Sequence, residues 1–392
     1  MAPPQVDFEQ RPMLVFWETT RACGLACRHC RACAQPTPLA GELGAEEGLA
    51  LLEQIAGFGR PAPVLIATGG DVLMRHDLDA LAVRASELGL PLALAPSVTP
   101  LLTAERAAEL HRLGVKIVSI SLDGANAAQH EGIRGVEGHF EATLRAIRLL
   151  RAEGMAVQIN TLVMRENVED LPAVAAIVAE EGAAIWEMFF LICVGRGQEL
   201  AELSPAENED VCHFLVDASR YGFVVRTVEA PFFRRVVSWR SEDPEPHGTG
   251  ALYARLAAGL RDRLGEPTGR VKAQTKGTRD GKGIVFVAHD GDVYPAGFLP
   301  LTLGNVRREN LVDIYRDHPV LRAIRAGRFN GRCGACEYAD LCGGSRARAY
   351  ATSGDPLGED PACAYIPGEH GTQAQPEAAL SPGRRPAGTP AS

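Results

Sequence analysis

Three cysteines crowd into one short stretch, Cys23-Gly24-Leu25-Ala26-Cys27-Arg28-His29-Cys30, directly after an apolar run, Leu14 to Trp17, that reads as a strand. Spacings of three and two residues let a short loop turn all three sulfurs toward one centre. Three thiolates on a four-iron cluster leave one iron without a protein ligand, and an open metal position lets a metal site bind and activate a small molecule. Near the other end stand Cys333, Cys336, Cys342 and Cys363, enough to close a second 4Fe–4S cluster with every iron ligated. Plainer readings stand beside these. Cys33 could join the first three in a zinc site or a closed electron-transfer cluster, and the second group could be a zinc ribbon.

The chain has 392 residues, 46% of them apolar and 23% charged. That is the balance of a globular protein with room for one large unit and a smaller one, or for an α/β barrel with an extension. A net charge of −9 argues against a general nucleic-acid binder. No run approaches the ~20 apolar residues that span a bilayer, and the first residues show no export signal. A cytoplasmic location without a membrane partner is therefore expected. Ten cysteines in that compartment are not expected to form disulfides, and the grouping of most of them reads as metal binding.

The elements that must hold these residues follow from hydrophobic periodicity. Strands are expected at Leu14–Trp17, Val64–Thr68, Pro91–Val98, Lys116–Leu122, Ala156–Val163 and Ile185–Val194. Helices are expected between them at Ala45–Phe58, Leu78–Leu88, Thr103–Leu113, Phe140–Glu153 and Leu171–Glu181. A sixth helix at 205–220 and a short strand, Phe223–Val228, come next. This repetition of strand and helix is the mark of a parallel sheet with crossover helices, whose binding groups gather past the C-terminal ends of the strands. The cysteine loop, Gly69-Gly70, Asp123-Gly124 and Gly195-Arg196-Gly197 all follow strand ends and should share one rim. Residues 241–282, polar and rich in Gly, Pro, Arg and Lys, read as a linker or mobile lid. A hairpin is expected at Ile284–Ala288 and Val293-Tyr294, turned at Asp290-Gly291, and a helix at Leu311–Arg325. The segment 368–392 reads as a disordered tail.

The first cysteine group, placed after the first strand of such a series, resembles that of the radical S-adenosylmethionine (SAM) superfamily, and the likeness covers most of the chain. The resemblance implies an α/β fold, a partial (β/α)6 TIM-type barrel. It implies a 4Fe–4S cluster on Cys23, Cys27 and Cys30 whose open iron chelates SAM and cleaves it reductively to a 5′-deoxyadenosyl radical. Gly69-Gly70-Asp71 resembles the family's Gly-Gly-Glu-Pro, with Asp71 for the acid and Val72 for the proline. The likeness assigns this motif, Ser121, Asp123, Asn160 and Arg134 to SAM binding, Arg134 as partner of the SAM carboxylate. Cys333, Cys336, Cys342 and Cys363 resemble a SPASM/twitch extension. Ala296 and the stretch around Ser345-Arg346 stand where a full seven-cysteine set has further ligands, so one auxiliary 4Fe–4S cluster is expected.

Residues Cys342–Tyr350, with Gly354-Asp355-Pro356 and Asp360-Pro361-Ala362-Cys363, look like the branch holding haem-biosynthetic radical SAM enzymes and the mycofactocin peptide maturase. That likeness implies oxidative modification or decarboxylation of a tetrapyrrole or haem precursor, or alternatively maturation of a short peptide, with an external donor such as flavodoxin or ferredoxin. The rival of another class is a non-catalytic zinc or iron–sulfur protein. Phe232-Phe233-Arg234-Arg235 could take a flat carboxylate-bearing substrate, and Arg346 and Arg348 its carboxylates, against readings as buried structure. Cys193 reads as inert or rim-facing; Cys33 and Cys212 read as non-ligands. The expected divisions are a lead-in (1–12), a radical SAM core (13–240), the linker or lid (241–282), an auxiliary-cluster domain (283–367) and the tail.

Overall fold

A computed structural model describes residues 7–273 and 277–368; the expected tail from residue 369 on lies outside the described residues. The elements alternate from the start: β1 (Leu14–Glu18), α1 (Ala45–Ala56), β2 (Val64–Thr68), α2 (Leu78–Glu87), β3 (Leu92–Leu94), α3 (Ala104–Arg112) and β4 (Ile117–Ser121). Two helices, α4 (Ala127–Arg134) and α5 (His139–Ala152), lead to β5 (Ala156–Val163), α6 (Leu171–Glu180), β6 (Ile185–Phe190), α7 (Pro205–Ala218) and β7 (Val224–Val228). Then come α8 (Phe233–Glu242), α9 (Ala251–Leu264), β8 (Ile284–Val287), β9 (Asp292–Tyr294), β10 (Gly304–Asn305), α10 (Leu311–Asp317), α11 (Pro319–Arg325), α12 (Gly331–Ala335) and α13 (Arg346–Ser353).

One ten-stranded sheet runs in the order β10-β9-β8-β1-β2-β3-β4-β5-β6-β7. Strands β1 to β7 pair in parallel, one after the next. On the other side of β1 lies β8, also parallel to it, and β8, β9 and β10 form an antiparallel meander. The expected α/β partial barrel is therefore present. The short strand expected after the sixth unit joins it as β7, and the expected hairpin adds to it at β1.

Alternation along each strand decides which residues face the barrel interior. Val118, Ile120, Val157, Ile159, Trp186, Met188 and Val225 are buried together against the surrounding helices. Val15, Trp17, Leu65, Val285 and Val287 are buried in a second cluster with α1, α2, α10 and α11. The intervening residues, among them Phe16, Glu18, Ser121, Asn160, Glu187, Arg226 and Phe286, line the concave face.

Three expectations need correction. Residues 241–282, expected as a linker or mobile lid, contain α9, whose Leu252, Leu256 and Leu260 are buried in the cluster that also holds Leu171 and Val174 of α6 and Phe214 of α7. The helix expected over Leu311–Arg325 is broken at His318, whose extended backbone (ψ 126°) precedes Pro319, because proline pushes the preceding residue out of the helical region. The expected third strand shrinks to Leu92–Leu94, and α4 was not foreseen. Among the described residues no helix is long and apolar enough to cross a membrane.

Candidate active site and auxiliary metal centre

The cysteine loop leaves β1 and is held by the rim of the barrel. Gly70 N–H donates to Thr20 O (2.8 Å) and Asp71 N–H to Ala22 O (2.6 Å). A Cβ on Gly70 would stand 2.8 Å from Arg21 O and closer still to Ala22 O, so the side-chain-free backbone is what lets this turn dock on the loop. From the far side, Arg196 N–H donates to Cys30 O (3.1 Å), and its guanidinium donates to Cys27 O (2.9 Å) and Ala34 O (3.1 Å). Neighbouring Gly195 has φ +56°, and a Cβ there would stand 2.6 Å from Cys30 O.

The three sulfurs share one small cluster, Cys23 and Cys27 buried and Cys30 half-buried. Each has a donor: Leu25 N–H at 3.3 Å from Cys23 Sγ, Ala34 N–H at 3.5 Å from Cys30 Sγ, and Arg134 Nη1 at 3.7 Å from Cys27 Sγ. Such donors and a nearby cation stabilise thiolates, the form that binds iron. Cys33, at φ +48°, turns the chain out of the loop.

The residues expected to bind SAM divide into two sets. Ser121 and Asn160 are register partners on the concave wall, half-buried. Asp71, by contrast, is fully buried and committed to its own chain. Its carboxylate accepts from Leu73 N–H (3.1 Å), Ser97 N–H (3.3 Å) and Thr99 Oγ1 (2.8 Å). Ser97 in turn donates to Gly70 O (3.0 Å) and lies 3.4 Å from Cys23 Sγ. Asp71 thus locks the third strand's loop beneath the cysteines.

Asp123 and Arg134 are likewise already engaged. Arg134 Nη2 lies 2.5 Å from Asp123 Oδ2, and Asp123 Oδ1 accepts from Leu162 N–H at 2.9 Å. Burial works against the Asp123 charge, but Arg134, with His29 and His130, holds its carboxyl down to about 2. Behind this pair runs a chain of neutral imidazoles. Asp123 N–H donates to His130 Nδ1 (3.1 Å), His130 Nε2 lies 2.8 Å from His139 Nδ1, and His139 Nε2 lies 3.1 Å from Val98 O. The backbone groups at each end set both rings as Nε2–H tautomers. Burial depresses His130 to about 3, so the relay stays uncharged and fixes the rim at Asp123.

Sequence reasoning missed the concave wall beyond Ser121 and Asn160. Glu18, at the end of β1, pairs with Arg31 (2.8 Å) and His289 (3.0 Å). Burial opposes its charge, but these partners and Arg21 bring its carboxyl down to about 2. Arg31 lies 4.8 Å over the Phe286 ring and 5.9 Å from that of Phe298, which meets Phe189 of β6 at 6.2 Å. Alternation along the strands was the available signal, but a polar residue at every second position reads equally as a solvated face.

The second cysteine group lines one pocket with Cys333, Cys336, Cys342 and Cys363 on its walls. Each sulfur faces a backbone N–H: Asp360 at 3.4 Å from Cys333, Gly344 at 3.4 Å from Cys342, Tyr338 toward Cys336 and Tyr365 toward Cys363. Burial raises the Cys342 thiol to about 12 and that of Cys363 to about 11, so metal uptake here must release protons. Among the described residues no three such side chains close on one point as ligands of a single ion do. Four thiols lining one pocket suit a cluster, in which each binds its own iron.

The six residues weighed as substrate contacts prove structural. Phe232, Phe233 and Arg235 are buried, Arg235 is bidentate to Glu209 (2.7 Å each), and its guanidinium lies 4.2 Å over Trp239. Arg234 donates to Leu341 O and Thr278 O. Arg346 and Arg348 are buried on carbonyls, Arg348 donating to Glu229 O (2.8 Å) and Leu191 O (3.0 Å), and Arg346 Nη2 lies 3.6 Å from Cys333 Sγ. Cys193 packs with Leu191 and Met164, and Cys212 sits in the main core.

A parallel barrel with a three-cysteine loop on its rim and a cysteine-lined pocket beyond defines a class. The model of the radical SAM superfamily matches residues 17–178, and that of an iron–sulfur cluster-binding (SPASM) domain residues 279–337. The chain belongs to the radical SAM superfamily: it is a radical SAM enzyme, with SAM and 4Fe–4S clusters as cofactors, and carries a SPASM domain. Within that superfamily it is 36% identical over 360 residues to the AdoMet-dependent heme synthase of Methanosarcina barkeri, covering 91% of this chain and 98% of that protein. The mycofactocin maturase MftC of Mycobacterium tuberculosis is 27% identical over 361 residues, covering 90% and 83%. In fold, the crystal structure of Streptococcus suis SuiB bound to S-adenosylmethionine superposes with a TM-score of 0.65 at 14% identity, over 91% of this chain and 78% of that one. Membership of an enzyme superfamily removes the reading as a non-catalytic metal protein.

Proposed function

We propose that this enzyme takes a hydrogen atom from a propionate side chain of a tetrapyrrole and carries out its oxidative decarboxylation. The observation that carries this reading is the 36% identity to a heme synthase across nearly the whole of both chains. Cys23, Cys27 and Cys30 would hold the SAM-binding cluster, and Cys333, Cys336, Cys342 and Cys363 the auxiliary one. When bound, the first cluster and SAM supply a 5′-deoxyadenosyl radical able to attack an unactivated C–H bond. The chain's own residues do the positioning. Gly69-Gly70 brings main chain against the cysteine loop, and Arg134 sets a positive charge beside Cys27. Ser121 and Asn160 offer polar contacts to SAM on the wall below, and Asp71 and the Asp123–His130–His139 relay hold the rim in place. The thiols of the auxiliary pocket are half-exposed at Cys333 and Cys336, which suits exchange of electrons with an external carrier such as flavodoxin or ferredoxin in the cytoplasm, as donor for SAM cleavage and as acceptor of the electron left on the substrate when carbon dioxide departs. A second reading, maturation of a short peptide, is favoured by the likeness to the mycofactocin maturase.

The test is anaerobic reconstitution followed by incubation with SAM, a strong reductant and a porphyrin bearing propionates. The expected result is about eight irons per chain, release of 5′-deoxyadenosine, and a porphyrin lighter by carbon dioxide and two hydrogens for each side chain converted. All turnover should vanish in Cys27→Ala. Deoxyadenosine release with the porphyrin mass unchanged would overturn the tetrapyrrole reading.

A further inference from the structure

One layer of the concave wall is polar from strand to strand. Register pairs Ser121 with Asn160, Asn160 with Glu187, and Glu187 with Arg226 across β4, β5, β6 and β7. Their neighbours along each strand, Ile120, Ile159, Met188 and Val225, are buried against the helices, so this layer projects into the barrel. Gln158, one layer below, donates to both Asn160 Oδ1 (2.8 Å) and Glu187 Oε2 (2.7 Å). That amide ties Glu187 to β5.

Arg226 is left with an unusual balance. Its guanidinium forms no hydrogen bond or ion pair among the described residues, and its Nε is buried without a partner. Its register neighbour Glu187 is affected by the Arg226 charge, but burial, the larger influence, pushes that carboxyl toward its neutral form. Elsewhere in this chain buried arginines are consumed: Arg235 by Glu209, Arg134 by Asp123, Arg325 by Glu9 and main-chain carbonyls. A half-buried guanidinium whose Nε is sealed from water without a partner carries a desolvation cost, and a ligand carboxylate is the group that would complete it bidentately. Phe286 of β8, Phe298 and Phe189 of β6 form a run of rings, with Arg31 lying over the first two. Aromatic rings and an unpartnered guanidinium suit a flat macrocycle carrying carboxylates at its edge.

Resting on the tetrapyrrole reading above, we propose that Arg226 is the residue that recognises a substrate propionate, held ready for it by the Gln158–Glu187 pair. Specificity for the acid then arises on β7 inside the barrel rather than at the arginines of the C-terminal unit, which are already bonded to the protein.

The experiment is an absorbance titration of the reconstituted holoenzyme with a propionate-bearing iron porphyrin and with its methyl ester, in wild type, Arg226→Gln and Arg226→Lys, with SAM affinity measured alongside. The wild type should bind the acid more tightly than the ester. R226Q should weaken acid binding about thirtyfold or more and leave ester binding unchanged, so that the preference disappears. R226K, keeping the charge without the fork, should lose about tenfold on the acid; it supplies the answer if iron content shows R226Q misfolded. Acid preference retained in the variants, or SAM affinity lost in place of porphyrin affinity, overturns the assignment of Arg226 alone. A wild type that binds neither porphyrin overturns the tetrapyrrole reading, and this inference with it.

Discussion

Gly70 and Gly195 set the shape of the cysteine loop by lacking side chains. Both press on its carbonyls, Gly70 on Arg21 and Ala22 and Gly195 on Cys30 and Arg31. Every one of those atoms is backbone, which cannot swing aside as a flexible side chain would. Gly70→Ala must therefore shift the loop that carries Cys23 and Cys27, while the second cysteine pocket, built from residues beyond 330, is untouched. The expected outcome is about four irons per chain in place of about eight, with no deoxyadenosine released. Gly132→Ala is the control. It lies inside α4, where a Cβ meets nothing within 4 Å, and should keep its iron and gain about 0.5–1 kcal/mol in stability. Iron analysis and thermal unfolding separate the two. Equal iron in Gly70→Ala and the wild type would show that the loop tolerates the displacement. The cysteines and glycines were legible because their chemistry is written in residue type and spacing. Asp71, Asp123 and Arg134 were singled out as SAM contacts by resemblance, but their bonds to one another and to the backbone could not be read from spacing.

At the level of elements, period-two and period-3.6 patterns gave the strands and most helices to within a few residues. They failed where composition masked period. In 241–282 the abundance of Gly, Pro and charge hid the Leu252, Leu256, Leu260 stripe, which is four-residue spacing on one helical face. The helix so formed, α9, covers α7 and encloses His213, whose ring meets Tyr253 at 6.1 Å and whose two nitrogens have no hydrogen-bond partner among the described residues. Burial, the first cause, holds His213 at about 4 against its ordinary 6.5. The folded state therefore binds fewer protons than the unfolded state below pH 6.5, and stability falls as pH drops through that window toward 4, by about 1.4 kcal/mol per pH unit from this group. His213→Leu should remove that contribution and flatten the slope between pH 6.5 and 5. Denaturant unfolding at several pH values reads it directly, and an unchanged slope would show that His213 is protonated in the folded protein.

Taken whole, the molecule is less divisible than its two cysteine groups suggest. The sequence reading separates a core ending near 240 from a domain beginning at 283, yet β8 pairs along β1 from Leu14–Ile284 to Trp17–Val287. Val285, Val287, Val293, Leu311 and Leu321 are buried in one cluster with Val15, Trp17, Leu51, Leu52 and Ile55. The same C-terminal unit reaches the opposite edge, where Ser345 Oγ lies 2.5 Å from Glu229 Oε2 just past β7. It thus touches the barrel both at its first strand and just past its last, and the pocket of thiols beyond residue 330 is walled in part by Arg235 of α8, which follows β7. A chain ending at Lys282 would leave the β1 edge unpaired and open to association with other chains. It would also strip cover from Val15, Trp17, Leu51, Leu52, Ile55 and Phe58. Losing even a third of the burial of six such side chains removes about 3–6 kcal/mol, comparable to the whole net stability of a domain, about 5–15 kcal/mol. Residues 1–282 alone should therefore aggregate or melt without cooperativity, whereas the full chain shows one transition in which both cluster sites are lost together. Circular dichroism and iron content during heating test this. A soluble 1–282 fragment that melts cooperatively and assembles the first cluster would show that the barrel stands without its C-terminal strands.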